Sequence, residues 1–295
     1  MKTLAIVVTY NRKKLLQECI KSLKNQKNAK LDILIIDNAS TDGTEELISK
    51  KYSDIIYINT GSNLGGAGGF NYGLKKAFEL KKQYDFLWIM DDDTIPDDNV
   101  LSEFLSYAKK DHNFGFLTPK TLWTDNSFCL MNIQTDLHGK LINENTQNFT
   151  KVSKATFVSC FLNSKAVLEV GLPIKEFFIW GDDTEYTFRI SDKFSCYYIN
   201  SCKVTHKMAN NNSASITTDV PERIDRYIYS YRNRFYIAKK RGFLKIIRYH
   251  LSIIKSFLQI IIKSKNFKWK RISTICKGYR QGISFNPAIE YINQQ

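Results

Sequence analysis

Three consecutive aspartates, Asp91-Asp92-Asp93, end the apolar run Phe86-Leu87-Trp88-Ile89-Met90. Adjacent carboxylates repel one another, so the arrangement is costly unless a cation is near. Along an extended backbone alternate side chains share a side, which sends Asp91 and Asp93 one way and Asp92 the other. Two hard oxygen ligands with room for phosphate oxygens suit Mg²⁺ or Mn²⁺. Asp37 closes an earlier apolar run, where its carboxylate can accept hydrogen bonds from a base or ribose, or serve as an ordinary strand-end turn residue. The run Gly65-Gly66-Ala67-Gly68-Gly69 lets a ligand approach the backbone, and a helix N-terminus after it would favour phosphate. Neither common nucleotide signature is complete. Position 71 is Asn where a third fingerprint glycine would stand, and no Walker lysine follows. Trp180-Gly181-Asp182-Asp183-Thr184-Glu185-Tyr186 crowds acids at a predicted helix start. These acids either complement the helix dipole or include a general base aimed at an acceptor hydroxyl, with Trp180 packed on a sugar ring. His206 reads either as a structural histidine or as a neutral imidazole ligand to a metal.

The elements that must position these groups alternate between strand and helix, which predicts an α/β fold. Residues 4–8 form a short continuous apolar run, as a strand buried on both faces requires. Leu15, Leu16, Cys19, Ile20 and Leu23 then recur at helical spacing. Strands are predicted over residues 33–36, 55–58 and 86–90. A glycine-rich loop over residues 61–69 should lead into a helix through Lys82. This alternation predicts a mostly parallel sheet flanked by helices, whose ligands bind beyond the carboxyl ends of the strands. Residues 121–156 read as loops or a small hairpin. Helices are predicted over 164–170 and from Gly181 to about Asp192, with short strands over 196–199 and 203–205. The polar stretch 210–215 is the best candidate for a mobile loop.

Together these motifs resemble glycosyltransferase family 2, the nucleotide-sugar transferases of GT-A fold. The matching pieces are VVTYNR from Val7, IIDNASTDGT from Ile35, NLGGAGGFNYG from Asn63, the DDD triplet and WGDDTEY from Trp180. The combination of NLGGAGGF, DDD and an acidic Trp motif followed by His is similar to the galactofuranosyltransferase branch; related rhamnosyltransferases share the first motifs. The resemblance implies that Asp37 contacts the nucleotide base and that Thr9 and Arg12 lie near the nucleotide. It adds Asn63, Gly65, Gly66, Asp92, Trp180 and Asp182 to the substrate-binding set. It further implies that Asp91, Asp93 and His206 hold a divalent ion, Mn²⁺ or Mg²⁺, and that Asp183 is the catalytic base. The branch often has Trp directly before the acid pair, whereas Gly181 intervenes here. The implied activity is inverting transfer of a sugar, galactofuranose from UDP-galactofuranose first, onto a hydroxyl of a lipid-linked glycan acceptor. Rhamnosyl or another hexosyl transfer is the alternative within the fold, and a catalytically silent nucleotide-sugar or membrane-binding protein is the alternative outside it.

Composition limits the other readings. Hydrophobic residues at 43% and aromatics at 13% are enough for a packed core and argue against disorder. The six cysteines are scattered without a CxxC pair, as reduced thiols rather than a disulfide frame or zinc site. The first apolar stretch is too short for a signal peptide. The net charge of +14 is not spread over the chain: residues 222–283 hold seventeen Lys or Arg against two acids, leaving the remainder near neutral. A nucleic-acid partner is therefore not expected. The chain divides into a catalytic domain over 1–220 and a basic helical segment over 221–295. Within the latter, Leu244, Ile247, Leu251, Ile254, Leu258 and Ile261 repeat at alternating spacings of 3 and 4, with a cationic seam alongside. Basic residues interrupt this helix too often for a membrane span, and its composition suits an anionic membrane surface. Packing on the catalytic domain or in a homo-oligomer is the alternative. The expected location is cytoplasmic, peripheral at the inner face of the cell membrane.

Overall fold

A computed structural model describes residues 1–212 and 214–292. The chain opens with β1 (Thr3–Thr9), α1 (Lys13–Lys24), β2 (Asp32–Asp37), α2 (Thr44–Lys51), β3 (Ile56–Asn59), α3 (Gly65–Glu79) and β4 (Phe86–Asp91). These strands pair in parallel in the order β3-β2-β1-β4, as expected from the alternating pattern. The short β5 (Thr94–Pro96), α4 (Val100–Lys110), β6 (Phe114–Leu122), β7 (Thr150–Lys151), β8 (Cys160–Asn163), α5 (Ser164–Val170), α6 (Asp182–Ser191) and β9 (Ser195–His206) follow. Beyond β4 the sheet continues β8-β6-β9-β5 and becomes mixed, because β8 runs antiparallel to both β4 and β6. The sheet is thus all-parallel in its first half only; in the second half β6 and β9 pair in parallel while β8 and β5 run antiparallel to their neighbours.

Alternation along β1 explains the two cores. Leu4, Ile6 and Val8 face a cluster with Phe70 and Leu74 of α3, while Ala5 and Val7 face Leu16, Ile20 and Leu23 of α1 and Phe104 of α4. Trp88 on β4 is fully buried in the second cluster. Burying a side chain of this kind contributes roughly 1.5–3 kcal/mol, so the strands ahead of the aspartates are firmly held.

Several elements depart from the sequence expectation. The glycine run is not a loop: α3 begins at Gly65, so Gly66, Gly68 and Gly69 are helical. Gly69 and, one turn on, Gly73 serve close packing, since a Cβ at Gly69 would lie 2.5 Å from Val8 Cγ1 and one at Gly73 2.7 Å from Ile6 Cγ2. The two short strands expected after residue 195 are one, β9, with a register irregularity against β6 between Pro119 and Lys120. The helices α2 and α4 and the strand β6 are absent from the sequence expectation, although Val100, Leu101, Phe104 and Ala108 of α4 do recur at helical spacing; β6 is interrupted by Gly115 and Pro119. Of the expected mobile loop, Ser213 lies outside the described residues, while Asn211 is anchored: its Oδ1 accepts from Leu130 N at 2.8 Å.

After a short 3-10 helix (Pro221–Arg226) the chain ends in α7 (Tyr227–Lys240), α8 (Phe243–Lys263) and α9 (Lys268–Ser284). These pack around Tyr231, Phe235, Tyr249, Ile253, Ile260 and Ile275. A small cluster of Ala67, Ile174, Phe177 and Tyr236 joins α7 to α3. Arg271, one of the cations of the basic segment, points inward: it is buried and donates to the carbonyls of Ile216 and Asp219.

In an ordinary helix Gly→Ala stabilises by roughly 0.5–1 kcal/mol. At Gly73 the added methyl meets Ile6 and Ile36 at 2.7 and 2.9 Å, so Gly73→Ala should reverse that sign. A loss of about 1–3 kcal/mol in urea unfolding is expected, whereas Gly66→Ala, with open space around its Cβ, should not destabilise.

Candidate active site

β1, β2 and β4 end side by side, and their registers pair Thr9 with Asp37 and Val8 with Asp91. Asp91, Asp92 and Asp93 therefore emerge at the carboxyl edge of the sheet, in a cleft of about 530 Å³. The pairing of β5 with β9 sets Thr94 opposite His206, which brings the histidine beside Asp93. One ligand atom each from Asp91, Asp93 and His206 lies within 4.8 Å of the others. Asp92 turns away: its Oδ2 accepts from Thr9 Oγ1 at 2.7 Å and its Oδ1 from Arg12 at 3.3 Å. Arg12 also donates to Asp93 Oδ2 at 2.6 Å.

The electrostatics of the triplet favour a cation. Burial, then the charge of Asp93, pushes Asp91 up to about 7, and burial pushes Asp92 up to about 6. Burial would raise Asp93 too, but His206 and Arg12 outweigh it and hold that carboxyl below the ordinary range. For His206 burial is likewise outweighed, chiefly by Asp93, and its pKa rises to about 10. Asp93 Oδ1 is buried without a hydrogen-bond partner, although His206 Nε2 stands 3.2 Å away. A buried oxygen of this kind is costly unless something else engages it. Two carboxylates and an imidazole form a donor set that fits Mn²⁺ or Mg²⁺.

The outer contacts of His206 are already set. Asn132 Nδ2 donates to Thr156 Oγ1 at 3.0 Å, which leaves Asn132 Oδ1 to accept from His206 Nδ1 at 2.9 Å. With one proton committed to Nδ1, loss of the Nε2 proton to an incoming cation would leave Nε2 as the ligand atom offered to the cleft.

On the opposite side stands α6. Trp180 and Gly181 both take positive φ, +65° and +84°, which turns the chain sharply into the helix and points its acidic first turn at the cleft. Burial, then Asp183, raises Asp182 well above the carboxylate range. Burial also raises Asp183, against the hydrogen bond from Thr184 N at 2.6 Å. A raised carboxylate is a stronger base, and the helix N-terminus tempers its charge. The Trp180 ring lies 4.8 Å from that of Tyr227. Gly65 has φ +71° and no room for a Cβ, because the Phe178 carbonyl occupies that space and accepts from Ala67 N at 3.2 Å. Asn63 Oδ1 accepts from Gly65 N at 2.9 Å and so caps the turn into α3.

The cleft thus gathers Thr9, Arg12, Asn63, Gly65, Gly66, Asp91, Asp92, Asp93, Trp180, Asp182, Asp183 and His206. Asp37 lies beneath its edge, fully buried, with Oδ1 accepting from Ser40 N at 2.9 Å and Oδ2 from Tyr57 Oη at 2.6 Å. Its neighbour Asn38 is the residue that lines the cleft. Asn132, Phe178, Met208 and Arg226 also line it and escaped the sequence reading. They lie in irregular segments or in the basic segment, and no local pattern marks any of them.

Residues 4–161 match the model of the family described as Glycosyl transferase family 2. Among curated proteins, galactofuranosyltransferase GlfT1 of Mycolicibacterium smegmatis is 25% identical over 260 residues, 82% of this chain and 85% of that protein. Poly-beta-1,6-N-acetyl-D-glucosamine synthase of Staphylococcus aureus is 28% identical over 171 residues, 56% of this chain but 40% of that protein. Among solved structures, S. aureus TarS aligns with a TM-score of 0.61 at 15% identity, over 90% of this chain and 44% of that one. The mannosyltransferase PcManGT of Pyrobaculum calidifontis, in complex with GDP-Man and Mn²⁺, aligns with a TM-score of 0.59 at 12% identity, over 96% and 87%. At these identities the structural likeness speaks to fold, which is the GT-A arrangement of a central sheet flanked by helices.

Asn132 should matter to the metal through His206 alone. Asn132→Ala is expected to weaken Mn²⁺ binding about 10- to 100-fold by titration calorimetry, with circular dichroism unchanged.

Proposed function

The chain belongs to glycosyl transferase family 2 and is a glycosyltransferase, and we propose that it transfers galactofuranose from UDP-galactofuranose with inversion, in a metal-dependent reaction. The observation that carries this reading is the meeting of Asp91, Asp93 and His206 with the Asp182-Asp183 pair across one cleft. The choice of donor is supported by the likeness to the galactofuranosyltransferase over most of both chains. Rhamnosyl or another hexosyl transfer remains the alternative, since one hydroxyl or ring form is discriminated by pocket contacts alone.

In this reading Thr9, Arg12, Asn63, Gly65 and Gly66 border the donor, and Asp37 supports the nucleotide side by holding the Ser40 turn and the Tyr57 hydroxyl. Asp91, Asp93 and His206 would hold the divalent ion, which when bound neutralises charge on the departing diphosphate. Trp180 offers a ring face to a sugar. Asp183 accepts the proton of the acceptor hydroxyl as its oxygen bonds to the anomeric carbon and the bond to the diphosphate oxygen breaks. A leaving group neutralised in this way needs no second carboxyl as acid, unlike the pair a glycosidase uses. Asp182 shares the cleft, where burial and the charge of Asp183 raise its carboxyl. A catalytically silent binding protein would have no use for this pair of buried acids.

The acceptor is lipid-linked in this reading, and α8 supports it. Leu244, Leu251, Ile254, Leu258, Ile261 and Ile262 are all at least half exposed on one face of α8. Exposed Lys245, Arg248 and Lys255 flank that stripe. An exposed apolar face of this size marks an interaction surface. A second copy would set these cations against their own kind, whereas an anionic membrane complements both features. No helix among the described residues is long and apolar enough to cross a membrane. A peripheral position at the inner face of the cell membrane completes the reading.

Two measurements test it. Asp183→Asn should keep donor binding and lose roughly 10²- to 10⁴-fold in turnover; near-native turnover would remove Asp183 from the role. In co-sedimentation the protein should bind vesicles containing phosphatidylglycerol but not pure phosphatidylcholine, and Leu251→Glu with Leu258→Glu should abolish that. Failure to bind, or a dimer in ultracentrifugation that the double variant dissociates, would assign the face to a second copy instead.

A further inference from the structure

We propose that Asn233 on α7 is a positioning residue, whose amide clamps the strained turn at residues 177–180 and so sets where Trp180, Asp182 and Asp183 stand. The inference rests on the reading that Asp183 is the base.

Asn233 is fully buried. Its Oδ1 accepts from Arg232 Nε at 2.9 Å, which leaves Nδ2 as the group facing the turn. Nδ2 donates to the carbonyls of Phe177, Ile179 and Trp180 at 3.0, 3.1 and 2.9 Å. Two amide hydrogens are thus shared among three carbonyls of the turn, while the fourth, that of Phe178, is taken by Ala67 N.

The turn they hold is a strained one. Phe178 has φ 63° and ψ −57°, and Ile179 N donates to Phe177 O at 2.7 Å. This is a γ-turn of the rare hand. Trp180, a bulky residue, follows at φ +65°. Such conformations persist only where the surroundings over-determine them. One restraint comes from α3, where Ala67 N donates to the Phe178 carbonyl across the gap that Gly65 leaves open. From α7 Arg232 Nη2 donates to the Phe177 carbonyl at 3.3 Å, and Asn233 is the side chain that also reaches Ile179 and Trp180.

The clamp has a firm base. Tyr231 and Phe235, neighbours on α7, are buried against Tyr249 and Ile253 of α8, and Tyr249 Oη donates to Tyr231 O at 2.8 Å. An apolar side chain could fill the volume at 233 without the desolvation that a buried amide incurs. The amide's distinct contribution is to hold backbone carbonyls in place. Through this side chain the basic helical segment, which also lends the cleft Arg226 and sets Tyr227 against Trp180, holds the backbone of the turn.

The test uses the full chain with Asn233→Ala and Asn233→Asp. The second variant keeps the volume and the contact to Arg232 while removing the amide donors, and it decides the matter if the first fails to fold. Amide exchange over residues 177–181 should accelerate at least about 10-fold, as expected for a locally opened segment, with β1 and β4 unchanged. Turnover should fall about 10- to 100-fold, as a displaced catalytic group does, with donor KM and Mn²⁺ affinity unchanged. Unaltered exchange in the turn of a folded variant, or a loss of Mn²⁺ binding parallel to turnover, would overturn the clamp. If Asp183→Asn stays active while the Asn233 variants loosen the turn and slow turnover, the base assignment fails and the clamp stands.

Discussion

Five carboxylates, Asp91, Asp92, Asp93, Asp182 and Asp183, line one cleft together with the cations Arg12 and Arg226. Packing so many like charges into a partly desolvated space is the constraint around which the rest is arranged. Arg12 is drawn onto Asp92 and Asp93, and Thr9 takes the remaining oxygen of Asp92. The pairing of β5 with β9 adds an imidazole. The first turn of α6 receives Asp182 and Asp183 at the positive end of a helix dipole. What these contacts leave over is an Asp93 oxygen met by His206 Nε2 at 3.2 Å and upward-shifted acids, the conditions under which a divalent ion and a proton acceptor have a use.

Holding such a cleft requires stiff walls on both sides. On one side the walls are strands buried on both faces, so the triplet hangs from a rigid edge. On the other the chain must reverse within a few residues to aim α6 inward, and it does so through conformations that disfavour side chains such as Phe178 and Trp180. The glycines of α3 make that reversal possible by bringing the helix close to β1 and leaving a gap for the Phe178 carbonyl. A run that looks like a phosphate cradle is therefore largely a packing device, with only its first two glycines on the cleft.

The C-terminal helices serve inward and outward at once. Their cations divide accordingly: Arg232, Lys239 and Arg271 are spent on backbone carbonyls, while Lys245, Arg248 and Lys255 stay exposed beside an apolar stripe. The inward set ties α7 and α9 to the turn and loop segments they cover, and the outward set gives α8 a face unlike the surface of an ordinary domain. Net charge alone does not separate these uses, because a guanidinium that caps a carbonyl and one that meets solvent count the same.

The sequence by itself determined the parallel half of the sheet, the edge where Asp91 and Asp93 stand, the acidic start of α6 and the exposed stripe of α8. The strands and the stripe are written in local periodicity and the start of α6 in a local cluster of acids, and such signals are properties that short segments carry unaided. Tertiary structure alone decided the mixed half of the sheet, the helical state of the glycine run, the inward turn of Arg271 and the partnership of His206 with Asn132. It also decided that Asp37 would be covered by Tyr57 and that Asn233 would reach a turn more than fifty residues away. These depend on which distant segments meet, and a buried amide or arginine finds its partners through packing that no local pattern encodes.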